Sequence, residues 1–109
     1  MSITGSVTDF FGQTELDGVA DVTVTNATVE APPAPVMVTA AEVTTGGTRA
    51  AALEGVVVRI GAAAITAVNT PVGEFTVMEP GGGSLVVDDF LFVLANPMVN
   101  QTFASLTGV

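Results

Sequence analysis

Three prolines within five residues, Ala31-Pro32-Pro33-Ala34-Pro35, constrain this chain more than any other feature. Each Pro fixes φ, removes a backbone N–H and biases the residue before it away from helix, so the stretch is extended and polyproline-like. The chain therefore divides into an N-terminal segment of residues 1–30, a linker of residues 31–35 and a larger segment of residues 36–109.

On the N-terminal side, Ile3, Gly5 and Val7 alternate with Thr4, Ser6 and Thr8, the period of a half-buried strand. Asp9-Phe10-Phe11-Gly12 reads as a turn and Asp17-Gly18 as a second one. With Val22, Val24 and Val29 continuing beyond them, residues 1–30 are expected to form a β meander. On the C-terminal side Val36 and Val38 suggest a short strand. Thr39-Ala40-Ala41-Glu42 has the spacing of a helix capping box, predicting one helical turn before Gly46-Gly47. Arg49 to Leu53 is a candidate for another turn. Residues 56–68 read as one long strand bent at Gly61, residues 74–78 and 85–87 as two strands joined by Pro80-Gly81-Gly82-Gly83, and residues 101–109 as a last strand. The expected fold class is all-β: an OB-like five-stranded barrel or a small β-sandwich, with at most one or two short helical turns.

Composition supports a packed core and narrows the chemistry. A hydrophobic content of 49% is far above that of disordered chains. Two arginines, Arg49 and Arg59, face 11 carboxylates with no Lys, for a formal charge of −9. Polyanion binding draws on Lys and Arg that displace counterions, so no direct nucleic-acid binding is expected. The absence of Cys and His removes disulfides, thiolate and imidazole catalysis and the usual zinc ligands. A serine triad or its Lys variant cannot be assembled. The chain is expected not to be an enzyme, and no cofactor is expected. Neither a signal peptide nor a membrane span is expected in these residues; the uncharged run of residues 90–109 is broken by Asn96-Pro97, Asn100 and Gln101.

Three groups of residues are candidates for contact with something else. Asp88, Asp89 and Glu79 offer oxygen ligands of the type Ca²⁺ takes, though no spaced ligand loop surrounds them and a solvated acidic loop is the simpler account. Asp9, Glu15, Asp17 and Asp21 form another acidic neighbourhood, in which turn chemistry accounts for Asp9 and Asp17. Of the six Phe residues, Phe75, Phe90, Phe92 and Phe103 sit at strand positions and are expected in the core. Phe10-Phe11 falls in a turn and is expected either to anchor that turn against its own barrel or, where copies exchange strands, to dock into a partner.

The succession Leu53-Glu54-Gly55-Val56-Val57-Val58, Gly73-Glu74-Phe75-Thr76-Val77, Leu85-Val86-Val87-Asp88-Asp89 and Gln101-Thr102-Phe103-Ala104-Ser105-Leu106-Thr107-Gly108-Val109 resembles OB-fold accessory domains of secreted bacterial nucleases and of lamin-tail-containing exported proteins. Residues 3–16 resemble the end of such a domain. The resemblance implies a five-stranded barrel whose first four strands come from residues 53–109, with the tail of the fourth and the fifth from residues 2–16. Ser2-Ile3-Thr4-Gly5-Ser6-Val7 also echoes Ser105-Leu106-Thr107-Gly108-Val109, so the two segments would claim one slot. Neighbouring copies completing each other head to tail, into a filament, is one solution; an N-terminal strand folding back on its own barrel is another. The expected contact residues are Ile3, Val7, Phe10, Phe11, Leu16, Leu106 and Val109. The leading expectation is thus an extracellular or cell-surface, non-enzymatic structural module of a bacterial protein that self-associates through its N-terminal strands. The alternative implied by the resemblance is an accessory domain that positions substrate for a secreted nuclease or phosphatase.

Overall fold

The computed structural model describes residues 1–26, 28–88 and 93–109, and of Gln13 the backbone alone. Asp89, Phe90 and Phe92, named above as calcium candidate and core residues, lie outside the described residues. The fold is all-β, with one α-helical turn and two 3₁₀ turns, and it divides into two compact units, Met1–Pro32 and Pro33–Val109.

The first unit is a single antiparallel hairpin, β1 (Ser2–Phe10) and β2 (Gln13–Thr23), rather than the expected meander. The reason lies at Asp17-Gly18. Thr4 pairs with Asp21 and Ser6 with Asp17, so Gly5 alone faces three residues of β2. Asp17 and Gly18 thus open a bulge within one strand. The local chemistry is that of a turn all the same: the Gly18 N–H donates to Asp17 Oδ1 at 2.7 Å, and Gly18 takes φ +57°. Gly5 is required by close approach, because a Cβ there would stand 2.9 Å from both the Asp17 carbonyl oxygen and Leu16 Cγ.

The second unit holds two further sheets. One has the order β3 (Val36–Met37), β4 (Val58–Ile60), β9 (Leu106–Gly108), with β3 parallel to β4 and β9 antiparallel to it. The other has the order β7 (Ser84–Asp88), β6 (Glu74–Met78), β5 (Ala63–Asn69), β8 (Thr102–Phe103), antiparallel throughout. The long strand expected over residues 56–68 is split at Gly61-Ala62, and the one expected over 101–109 at Ala104-Ser105. Both splits are the same corner: β4 runs into β5 and β9 runs back from β8, so an antiparallel pair leaves one sheet and enters the other together. Among the described residues the sheets make a small sandwich and no closed barrel.

Alternation along the strands builds the core. Phe75 and Val77 of β6, Ala63 and Ile65 of β5 and Ile60 of β4 point inward and are buried, joined by Val38 and Ala40. Phe103 is half-buried and stacks on Phe75, with ring centroids 6.3 Å apart and planes at 29°. Gly82, at φ +93°, turns the β6–β7 loop, where the Glu79 N–H donates to the Gly83 carbonyl at 2.8 Å.

The helical turn α1 (Ala40–Val43) begins at the expected capping sequence. Glu42 Oε2 accepts from the Thr39 N–H at 2.8 Å and from the Thr39 hydroxyl at 3.1 Å. Those bonds, the backbone one foremost, hold the Glu42 carboxyl below its ordinary value of 4.5; desolvation opposes them, and the Arg49 guanidinium at 3.7 Å adds a lesser lowering. A carboxyl depressed in the folded state stabilises it above the unfolded value and loses that contribution as pH falls through the folded one. The stability difference between the parent chain and Glu42→Gln is therefore expected to be largest near neutrality and to shrink below about pH 4.5. Urea unfolding at several pH values measures it.

Candidate functional site

Every described residue of the hairpin except Thr8 is exposed. Its ladder sorts side chains into two unlike faces. Ile3 pairs with Val22 and Val7 with Leu16, and with Gly5 between them these make an apolar face. On the opposite face Thr4 stands across from Asp21, Ser6 from Asp17 and Thr8 from Glu15. The apolar face is bare, with Val7 74% exposed.

Phe10 and Phe11 sit at the tip. Phe11 and Gly12 are the central residues of a two-residue loop, with φ +53° and +86°, and the Gly12 N–H donates to Asp9 Oδ1 at 2.9 Å. Positive φ at both positions is the type I′ geometry, for which Asn-Gly is the preferred sequence. A bulky side chain at the first position costs on the order of 1 kcal/mol. The edge-to-face contact of Phe11 with Phe10, centroids 4.7 Å apart at 84°, returns a comparable amount. The result is an aromatic knob on which Phe11 is 94% exposed.

Electrostatically the hairpin unit is uniform. Asp9, Glu15, Asp17, Asp21 and Glu30 lie within residues 1–32 and no Arg or Lys does, so five of the 11 carboxylates are gathered there. Both arginines belong to the second unit. Arg49 reaches Glu42, while Arg59 is exposed on β4 and donates from Nε to Thr107 Oγ1 at 2.9 Å.

The sequence-predicted contact residues are thus separated into groups. Ile3, Val7 and Leu16 share the bare face, Phe10 and Phe11 form the tip, and Val109 is exposed just past β9. Leu106 is different: it packs half-buried against the core of the second unit, so its side chain is occupied at home. Val22, which completes the apolar face, escaped the list because Asp17-Gly18 read as a turn and hid its pairing with Ile3.

Of the calcium candidates, Asp88 and Glu79 do not converge. Asp88 pairs with Glu74 at one end of the β6–β7 ladder, whereas Glu79 lies past the Met78–Ser84 pair at the other. Five residues of strand span ~13 Å between those ends, too far for one ion. Glu79 is half-buried and bound elsewhere, accepting from the Ala40 N–H at 2.8 Å at the start of α1. Among the described residues no three acidic side chains could hold a metal ion together, and no helix is long and apolar enough to cross a membrane. No family model, curated protein or solved structure matches the chain.

Proposed function

We propose that this chain is a non-enzymatic β module of an exported bacterial protein that associates with copies of itself through its N-terminal hairpin, head to tail. The observation that carries the reading is the bare apolar face of β1 and β2. A two-stranded hairpin alone in water is marginally stable at best, and it becomes stable when one face is covered. Ile3, Val7, Leu16 and Val22 offer the surface to be covered, and the exposed Phe10-Phe11 tip adds a second apolar element, with Phe10 on the opposite face. Because donor and acceptor surfaces differ, such a contact is heterologous and repeats along a filament instead of closing by a two-fold axis. The antiparallel run β7-β6-β5-β8, with its bent corner into β9, supports an OB-like origin for residues 53–109. The charge of −9 suits a module that must stay soluble outside the cell.

The charge also gives the test a sign. Two copies of equal negative charge repel, and that repulsion is screened as the Debye length falls from ~30 Å at 0.01 M salt to ~3 Å at 1 M. Apolar burial is not weakened over the same range. Sedimentation velocity is expected to show association strengthening with salt and disappearing in Val7→Asp at every salt concentration. Association unchanged in Val7→Asp would remove the hairpin face from the contact.

A further inference from the structure

Resting on the reading of the hairpin as a self-association element, the receiving surface on a second copy can be sought among the sheet edges of residues 33–109. The β3 edge is two residues long and follows Pro35, which has no N–H to offer a new strand. The β7 edge is approached by α1: Ala41 N lies 2.9 Å from where a Cβ on Gly83 would be, and α1 packs against β7. The remaining edge is formed by β8 and β9 in succession, Thr102–Phe103 and Leu106–Gly108. β8 flanks β5, β9 flanks β4, and among the described residues no strand lies on their outer side.

We infer that this β8–β9 edge of a second copy receives β1 in antiparallel register, with Thr4 opposite Thr107. Length agrees with this placement. The seven residues from Thr102 to Gly108, bent at Ala104-Ser105, are fewer than the nine of β1, so an antiparallel β1 carries its tip past Thr102. The faces agree as well. Leu106 points into the core and Thr107 away from it, bonded to Arg59. With Thr4 opposite Thr107, Ile3 and Gly5 continue the core side along β9 and Thr4 lies outside with Thr107; beyond the corner the same register sets Thr8 opposite the core-side Phe103.

Area and charge point the same way. Ile3, Val7, Leu16, Val22, Phe10 and Phe11 are between 40% and 94% exposed. Together they offer on the order of 600 Å², close to the ~800 Å² per partner of a stable interface, before any backbone pairing is counted. The hairpin carries only negative side chains, and its polar face, with Asp17 and Asp21, comes down on the side of Arg59, the arginine not committed to Glu42.

The chain has no Cys, so engineered cysteines report directly. Thr4→Cys and Thr107→Cys chains are mixed under mild oxidation, with Thr4→Cys and Val86→Cys, on the β7 edge, as the comparison. The expected product is a disulfide-linked pair of copies from the first mixture, at least tenfold above the second, with the yield falling at least tenfold when Phe10→Ser and Phe11→Ser are added to the Thr4→Cys chain. Phe11→Asn, which suits the turn and removes the knob, is expected to lower the yield while leaving the hairpin formed. Preferential linking through Val86→Cys, linking of Thr4→Cys chains to each other, or oligomers that link through neither would overturn the β8–β9 site and leave self-association standing. A strictly monomeric chain by mass would overturn both. A Thr4→Cys, Thr107→Cys double variant that links at monomer mass even at high concentration would replace the contact between copies with one inside the chain.

Discussion

Phe75→Ala is expected to lower the stability of residues 33–109 by about 3–5 kcal/mol, the range for truncating a buried Phe. Phe75 is 4% exposed at the middle of the antiparallel sheet, stacked on Phe103, and among the described residues it is the largest of the seven buried in the core. The second unit has 77 residues, counting from Pro33 to Val109. At ~0.05–0.15 kcal/mol per residue its whole stability is about 4–12 kcal/mol, so the substitution removes a large part of it. Thermal unfolding followed by circular dichroism is expected to shift by on the order of 20 °C. Val86→Ala, at an exposed position on β7, is the comparison and is expected to move stability by no more than ~0.5 kcal/mol. Equal shifts for the two would mean that the inward face of β6 is wrongly assigned.

The second large effect concerns association. Replacing both Phe10 and Phe11 by Ser is expected to weaken self-association by about 2–4 kcal/mol, some 30- to 1,000-fold in Kd, because buried aromatic anchors dominate interface energetics. The same double variant is expected to leave the thermal unfolding of residues 33–109 within ~0.5 kcal/mol of the parent, because neither ring belongs to its core. Analytical ultracentrifugation and circular dichroism on the same preparation separate the two quantities. Equal damage to folding and assembly would contradict a docking role for the tip.

Much of the fold was legible where one residue pattern admits one structure. The two units divide at Pro32, within the proline run of residues 31–35, and Thr39 to Glu42 marked the start of α1. Phe75 and Val77, alternating with Glu74, Thr76 and Met78, gave β6 and its buried face. What escaped was set by geometry that the same residues serve in two ways. Asp17-Gly18 makes a positive-φ step, and nothing local distinguishes a turn that ends a strand from a bulge that prolongs it. Residues 56–68 and 101–109 keep strand-like composition through the corner, where each strand changes sheets without changing residue type.

The candidate site was legible in its residues and not in its arrangement. Ile3, Val7, Leu16 and the Phe10-Phe11 tip were apparent as apolar positions, but only the register joins them with Val22 and leaves the face bare. Leu106 differs from them. Its echo of Ile3 is real in sequence, yet its strand is already paired with β4 and its side chain already packed.

The bare hairpin face as a contact between copies is tested most directly by size-exclusion chromatography with mass detection on the intact chain over a wide concentration range, in moderate salt. The account predicts a mass that climbs with concentration above the 10.9 kDa of one chain through a series of oligomers. A constant 10.9 kDa at every concentration would contradict it.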